Sequence, residues 1–129
     1  MKTVLFVCVH NSGRSQMAEA IFNRLAGGKA CAISAGTRPT KEVNAVVAKA
    51  MLEAGLDISR NRPKLLTSAM LDEADRMISI GCINSEACLA RLVTTKDWGL
   101  LDPERKSLEE VIQIRDEIRG RVSKLLDEV

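Results

Sequence analysis

The segment VLFVCVHNSGRSQMAEA, residues 4–20, joins an apolar run to a helical pattern through a short polar loop. Residues 3–8 predict a strand that is buried on both faces, because the run is apolar throughout rather than alternating with polar residues. Apolar side chains then recur at helical spacing until Gly27 and Gly28, which suit the end of a helix. These apolar positions are Met17, Ala18, Ile21, Phe22 and Leu25. A cysteine, Cys8, therefore stands where a buried strand ends and a loop leads into a helix.

The loop after Cys8 has the composition of an anion-binding site. Loop N–H groups that turn inward and the positive end of the following helix dipole both attract a tetrahedral oxyanion. Gly13 permits a backbone conformation closed to other residues, and the planar guanidinium of Arg14 donates to two oxygens at once. The same field favours thiolate over thiol, so we expect Cys8 to be a nucleophile with Ser15 donating to its sulfur. The predicted oxyanion-binding residues are Val9, His10, Asn11, Ser12, Gly13, Arg14 and Ser15.

Strand and helix patterns alternate along the rest of the chain. Short apolar runs at residues 31–34, 77–80 and 92–95 predict three further strands. Apolar spacing over residues 43–54 predicts a second helix that ends near Gly55, and Thr67 or Ser68 suits the start of a third. The apolar face of the second helix consists of Val43, Val46, Val47, Ala50, Met51 and Ala54.

Ser107 and Glu110 have the spacing of a capping box before a final helix. The apolar side of that helix consists of Leu108, Val111, Ile112, Ile118, Val122, Leu125 and Leu126. Alternation of strands and helices predicts an α/β fold, a four-stranded parallel sheet with helices on both faces. We expect one domain over residues 1–129.

Composition restricts the partners. The 129 residues include 19 Lys and Arg against 17 Asp and Glu, a net charge of +2. No basic block stands out, so we expect neither nucleic acid nor a membrane as a partner. Residues 4–7 are too short an apolar run for a signal peptide or a membrane span, which predicts a cytosolic location. In a reducing cytosol, the four cysteines favour catalysis, redox chemistry or metal binding over structural disulfides.

Three reactive side chains follow predicted strands. Cys8 ends the first strand, Cys82 follows the third, and Asp102 lies in the loop after the fourth. In open parallel sheets the ligand binds beyond the carboxyl ends of the strands. The order of elements therefore predicts a site where these three residues meet.

Structural explanations exist for the same residues. Cys8 is also compatible with a buried core cysteine, Arg14 with a solvated helix charge, and Asp102 with an ordinary turn before Pro103. Trp98 and Cys31 are best explained as a loop anchor and a small buried side chain.

Metal binding is disfavoured. The spacing between Cys82 and Cys88 is wider than that of structural zinc sites, and the one histidine, His10, lies inside the anion loop. We therefore expect no metal site and no cofactor.

Several motifs resemble a known family. CVHNSGRSQMAEA, SAGT at residues 34–37 and DP at residues 102–103 resemble the low-molecular-weight protein tyrosine phosphatases over essentially the whole chain. GCINSEAC, which contains Cys82 and Cys88, and KDWGLLDP resemble the arsenate reductases of that superfamily, of the type coupled to thioredoxin. The resemblance implies a four-stranded parallel sheet and Cys8 as the nucleophile.

The resemblance also implies roles for the surrounding residues. Arg14 binds the oxyanion, Ser15 and Asn11 shape the loop and the thiolate, and Asp102 is the general acid. In a phosphatase, one carboxyl group above the loop protonates the leaving oxygen and then activates water.

Electron counting favours reduction of arsenate over hydrolysis. Reduction of As(V) to As(III) takes two electrons, which two thiols supply when they become a disulfide. The expected relay runs from Cys8 to Cys82 to Cys88 and ends in an internal disulfide between Cys82 and Cys88. An external dithiol must then reduce that disulfide, and thioredoxin is the favoured candidate.

Two alternatives remain at this point. The first is a phosphatase for phosphotyrosine or a small phosphate ester, although residues 38–44, RPTKEVN, offer no aromatic side chain to stack on a phenyl ring. The second is a non-catalytic oxyanion-binding or redox-sensing module, which would need the loop but not Asp102.

Overall fold

The computed structural model describes residues 1–80 and 96–129. The strands are β1 (Lys2–Cys8), β2 (Ala30–Gly36), β3 (Arg76–Ser79) and β4 (Lys96–Asp97). The helices are α1 (Arg14–Ala26), α2 (Ala45–Glu53), α3 (Ser68–Glu73) and α4 (Leu108–Glu128). The described elements follow one another in the order that the sequence predicts.

The strands form a parallel sheet in the order β2-β1-β3-β4. β1 pairs with β2 along its whole length, from Lys2 opposite Ala30 to Cys8 opposite Gly36. β4 contributes two residues, and the strand predicted at residues 92–95 lies outside the described residues. The expected α/β fold with a parallel sheet is confirmed, with β1 inside the sheet.

Helices cover both faces of the sheet. Val4, Phe6 and Cys8 point into a core formed with α1, α2 and α4. The alternate residues Leu5 and Val7 point into a smaller cluster on the other face, against which α3 packs. Because both faces are covered, β1 is apolar throughout instead of alternating with polar residues.

Trp98 joins the segment after β4 to the larger core. Its ring lies 5.6 Å from that of Phe6, which in turn makes an edge contact with Phe22 at 6.0 Å between centroids. The guanidinium of Arg121 lies 5.9 Å from the Trp98 ring. Trp98 is buried and anchors the chain shortly before Asp102, as predicted.

Local capping signals match the helix ends. Gly27 ends α1 in the left-handed conformation, Thr67 caps α3, and Ser107 forms the predicted capping box with Glu110 at the start of α4. Asn44, which the sequence interpretation passed over, caps α2 through its side-chain oxygen.

The predicted apolar faces are wrong at their ends. Leu25 and Leu108 are about two-fifths exposed, and Ala54 is exposed as well. In the last turn of α1 the buried residue is Ala26, four positions after Phe22, so Leu25 lies at the border of the packed face. None of the helices in residues 1–80 and 96–129 has the length and apolar character needed to cross a membrane.

Candidate active site

A cleft of about 330 Å³ opens at the carboxyl end of β1. It brings together Cys8, Arg14 and Asp102, three of the residues predicted to act there. Cys82 and Cys88 lie outside the described residues. The cleft is lined by Cys8, His10, Ser12, Gly13, Arg14, Thr40, Glu42, Asn44, Asp102, Pro103 and Glu104.

The loop between β1 and α1 directs four of its carbonyl groups toward residues 37–44. The carbonyls of Cys8, Val9, His10 and Ser12 accept hydrogen bonds from the N–H groups of Thr37, Arg38, Thr40 and Asn44, at 3.2, 2.8, 3.2 and 2.9 Å. In a trans peptide the N–H group points opposite to the carbonyl. In agreement with this, the Asn11 N–H, which follows the His10 carbonyl, points to the Cys8 sulfur at 3.2 Å.

The Cys8 sulfur is buried at the base of the cleft. It lies 2.8 Å from the Ser15 hydroxyl oxygen and accepts a hydrogen bond from the Asn11 N–H at 3.2 Å. Hydrogen bonds to the charged form of a group favour that form. Both contacts would stabilise a thiolate, and the Ser15 contact is the one expected from the sequence.

Asn11 has the left-handed backbone conformation in the loop, with φ of 52°. Asparagine is enriched several-fold in this region among residues other than glycine. Its amide nitrogen donates to the Ser15 hydroxyl at 2.7 Å and to the Ser34 hydroxyl at 3.0 Å. The sequence interpretation missed the left-handed conformation of Asn11, although the known preference of asparagine gave a signal.

Gly13 is required because the loop leaves no space for a side chain. Its φ is −143°, and a Cβ atom at this position would lie 2.6 Å from Cγ of Pro103. The loop that follows Leu101 therefore packs directly on the anion loop.

Gly36, in the SAGT motif, permits a second close approach. A Cβ atom at Gly36 would lie 2.6 Å from the Val9 carbonyl oxygen and 2.9 Å from the Asn11 nitrogen. The end of β2 therefore supports the anion loop from behind, and this contact explains the glycine in the motif.

Arg14 begins α1 and is almost completely buried. One terminal nitrogen of its guanidinium donates to the Leu100 carbonyl at 3.0 Å. The other terminal nitrogen lies 3.9 Å from Oδ2 of Asp102. The guanidinium is thus held between the anion loop and the loop that carries Asp102.

Asp102 lies in a turn at the mouth of the cleft. Its Oδ1 accepts a hydrogen bond from the Glu104 N–H at 2.9 Å, which is ordinary turn geometry. Its Oδ2 faces Arg14, and the side chain is about half exposed at the mouth of the cleft. A carboxyl group in this place can exchange protons both with solvent and with a ligand in the cleft.

The remaining predicted residues lie around the cleft or behind it. Val9 packs against the smaller core cluster, whereas Asn11 and Ser15 lie behind the Cys8 sulfur. Cys31 is half-buried in β2, with its sulfur 3.4 Å from the Thr3 hydroxyl. Within residues 1–80 and 96–129, no group of three or more His, Cys, Asp and Glu side chains is arranged to hold a metal ion.

The family model for the low molecular weight phosphotyrosine protein phosphatases matches residues 3–129. The chain belongs to this family. The predicted resemblance to this family is confirmed, and the family is one of enzymes.

Several relatives are arsenate reductases. The chain is 37% identical to arsenate reductase 1 of Staphylococcus epidermidis over 124 residues, which covers 94% of this chain and 92% of that protein. It is 34% identical to the glutaredoxin arsenate reductase of Synechocystis over 131 residues, which covers 100% of this chain and 99% of that protein. The predicted resemblance to arsenate reductases is confirmed.

Solved structures show the same similarity. An arsenate reductase in its phosphate-binding state superimposes with a TM-score of 0.85 at 32% identity, covering 100% of this chain and 99% of that one. A thioredoxin-dependent arsenate reductase of Corynebacterium glutamicum gives 0.82 at 33% identity, covering 99% of this chain and 61% of that one. A low molecular weight protein tyrosine phosphatase of T. tengcongensis gives 0.85 at 27% identity, with complete coverage of both chains. Both reductases and phosphatases therefore share this fold.

Proposed function

We propose that this protein reduces arsenate to arsenite, within one catalytic domain of residues 1–129 located in the cytosol. The observation that carries the proposal is the Cys8 sulfur at the base of the cleft, in contact with Ser15 and the Asn11 N–H, with the Arg14 guanidinium in the same loop. The arsenate reductases among its relatives favour arsenate as the substrate.

The cleft suits a tetrahedral oxyanion with charge on its oxygens. Residues 9–15 would surround arsenate, or phosphate as its analogue, with N–H donors and with the N-terminus of α1. Arg14 would add a planar pair of donors, since its guanidinium already lies at the wall of the cleft. The similar arsenate reductase in a phosphate-binding state supports this use of the cleft.

The proposed reaction begins when the Cys8 thiolate attacks arsenic and a water or hydroxide leaves, with Asp102 as the proton donor. Cys82 then attacks the Cys8 sulfur, and the electron pair of the sulfur–arsenic bond leaves with arsenic as arsenite. Cys88 next attacks Cys82 and releases the Cys8 thiolate. In total, arsenate and two thiols give arsenite, one disulfide between Cys82 and Cys88, and water.

An external dithiol would restore the two thiols. Thioredoxin is the favoured reductant, because an internal disulfide is open to attack by a second dithiol. One similar structure is described as thioredoxin-dependent and one relative as a glutaredoxin arsenate reductase, so both reductants need to be assayed.

A single turnover tests the relay. Protein incubated with arsenate and no external thiol is expected to lose about 2 Da, the mass of two hydrogens, as two thiols become a disulfide. Peptide mapping is expected to place this bond between Cys82 and Cys88, with Cys8 and Cys31 free. Cys88→Ser is expected to trap a disulfide between Cys8 and Cys82, because the final thiol is missing.

Three controls complete this experiment. Cys8→Ser is expected to abolish both arsenate reduction and hydrolysis of an aryl phosphate, whereas Cys31→Ser leaves both unchanged. Cys82→Ser is expected to abolish reduction alone. If Cys82→Ser and Cys88→Ser reduced arsenate at the wild-type rate, the relay would be wrong.

A phosphatase is the second candidate, and one observation favours it: the family model and the T. tengcongensis structure are those of tyrosine phosphatases. Hydrolysis needs Cys8, the anion loop and Asp102 but neither Cys82 nor Cys88, and Cys8, Arg14 and Asp102 all line the cleft. We expect aryl phosphate hydrolysis as a residual activity that survives in the reduced Cys82→Ser and Cys88→Ser proteins. Turnover of either substrate would exclude a purely binding or sensing module.

A further inference from the structure

Gln16 is a fully buried amide in the first turn of α1, two residues after Arg14. Its Nε2 donates to Oδ1 of Asn11 at 3.1 Å and lies 3.5 Å from the Arg62 carbonyl oxygen. Its Oε1 accepts a hydrogen bond from Nδ2 of Asn61 at 3.2 Å. Both ends of the Gln16 amide are thus bonded, one of them to the anion loop.

The contact with Asn11 fixes which way the Asn11 amide faces. An asparagine amide offers two donors and two acceptor positions. At Asn11 the donors go to the Ser15 and Ser34 hydroxyls, and the acceptor positions go to Gln16 and to the Lys64 N–H at 2.9 Å. All four positions are occupied, so rotation of this amide would place donors against donors.

The backbone N–H of Asn11 contacts the Cys8 sulfur, so the orientation of Asn11 affects the surroundings of that sulfur. Asn11 has a left-handed backbone, and its N–H donates to Cys8 at 3.2 Å. A side chain bonded on all sides holds the residue in this conformation, which residues other than glycine rarely adopt. The orientation of the Asn11 N–H toward Cys8 thus depends on groups outside the loop.

We propose that Gln16 is a positioning residue that acts through Asn11 on the reactivity of Cys8. The proposal rests on the proposed function only in that it takes Cys8 as the nucleophile. Gln16 links the loop that contains Asn61 and Arg62 to the anion loop. The loop of Asn61 and Arg62 therefore takes part in setting the geometry around the Cys8 sulfur.

The test compares Gln16→Met with Asn23→Leu. Each substitution keeps the approximate size and removes the amide, and both residues lie on α1. Asn23 bonds the backbone of Ala32 through two hydrogen bonds, at the end of α1 that is remote from Cys8. Asn23 is exposed and its hydrogen bonds are part-buried, so Asn23→Leu controls for the loss of an amide and its hydrogen bonds elsewhere on α1.

Two readouts separate positioning from stability. For hydrolysis of an aryl phosphate by Gln16→Met, kcat is expected to fall about tenfold, the effect of one lost buried hydrogen bond. The inhibition constant of inorganic phosphate should change by less than about twofold, because the guanidinium fork of Arg14 is unaltered. Alkylation of Cys8 by iodoacetamide, located by peptide mapping, is expected to slow in Gln16→Met and not in Asn23→Leu.

A double-mutant cycle tests the route through Asn11. In an Asn11→Gly background, glycine adopts the left-handed conformation without the side-chain bonds. Gln16→Met should then lower kcat by less than about twofold, because interacting residues show non-additive effects. A full tenfold loss in that background, or wild-type kcat in Gln16→Met itself, would overturn the proposal.

Asn61→Ala covers the case in which Gln16→Met does not fold. This substitution removes the Asn61 Nδ2 donor that bonds Gln16, and Asn61 lies at a half-buried loop position. We expect kcat to fall about threefold, less than in Gln16→Met, because Asn61 bonds Gln16 rather than Asn11. Unchanged kcat in folded Asn61→Ala would contradict the proposal. Neither hydrolysis nor alkylation requires arsenate, so failure of arsenate reduction by the wild-type protein leaves this test intact.

Discussion

At the residue scale, Arg14 connects two parts of the cleft that are far apart in sequence. Its side chain bonds the Leu100 carbonyl and approaches Asp102, while its backbone begins α1 directly after the anion loop. A guanidinium has enough donors to keep the Leu100 bond and still present a fork to a ligand. An ammonium has a single nitrogen and cannot span both.

Arg14→Lys is therefore expected to lower kcat for arsenate reduction about 100-fold, the effect of losing one oxyanion donor. The inhibition constant of inorganic phosphate should rise in the same variant. Steady-state kinetics with phosphate as the inhibitor measure both quantities. Arg24→Lys, on the exposed end of α1, serves as the control. Near-normal kinetics of Arg14→Lys would mean that the charge alone suffices.

Asp102→Asn should separate the two reactions. A phenolate leaving group needs a proton and the thiophosphate intermediate needs a base, whereas loss of hydroxide from arsenate needs protonation alone. We expect aryl phosphate hydrolysis to fall about 100-fold and arsenate reduction by a smaller factor. Parallel assays of one preparation give the ratio, with Glu109→Gln as the control. Equal losses in both reactions would contradict the leaving-group argument.

At the scale of elements, α4 depends on its N-terminal cap. Ser107 accepts a hydrogen bond from the Glu110 N–H at 3.2 Å, and Glu110 accepts one from the Ser107 N–H at 3.1 Å. The helix then places Val111, Ile114 and Ile118 in the core. Two otherwise unpaired N–H groups are thus bonded at an exposed helix end.

Ser107→Ala is expected to lower the free energy of unfolding by about 1 kcal/mol, the usual cost of a lost N-cap. Urea denaturation measures this change. Arsenate reduction by the folded variant should remain at the wild-type rate, because the cap is formed only within the start of α4. A loss of activity at unchanged stability would show that α4 influences the cleft.

The same cap predicts a dependence on pH. Hydrogen bonds from the Ser107 backbone and side chain hold the pKa of Glu110 below its ordinary value. Its contribution to stability is therefore present above the pKa of the unfolded chain and is lost as the pH falls through the lowered pKa. The stability difference between wild type and Glu110→Gln should shrink on acidification in urea titrations. A constant difference would exclude the carboxylate as its source.

At the scale of the whole molecule, a bound oxyanion should stabilise the fold. The anion loop is held by β2, by residues 37–44 and by Pro103, so its binding geometry exists only in the native state. A ligand at a hundredfold excess over its Kd adds about 2.7 kcal/mol to the free energy of unfolding. We expect this gain with inorganic phosphate in the wild type and a smaller gain in Arg14→Lys. Equal gains would place the bound phosphate elsewhere.

The sequence by itself determined the features that depend on neighbouring residues. The apolar run of β1, the spacing of α1, the cap at Gly27 and the capping box at Ser107 all act within a few positions of each other. The same local pattern placed Cys8 and Arg14 at either end of one loop. The parallel sheet followed from the alternation of these elements, whereas the strand order β2-β1-β3-β4 came only from the structure.

Only the tertiary structure decided how the loop is held. Arg14 meets the carbonyl of a residue 86 positions away, and Asn11 bonds the Lys64 N–H 53 positions away. Gly13 is required because Pro103 packs against it, which no local pattern indicates. Such contacts depend on how distant segments approach each other in space. For that reason the sequence indicated the reactive residues, and the fold determined which groups orient them.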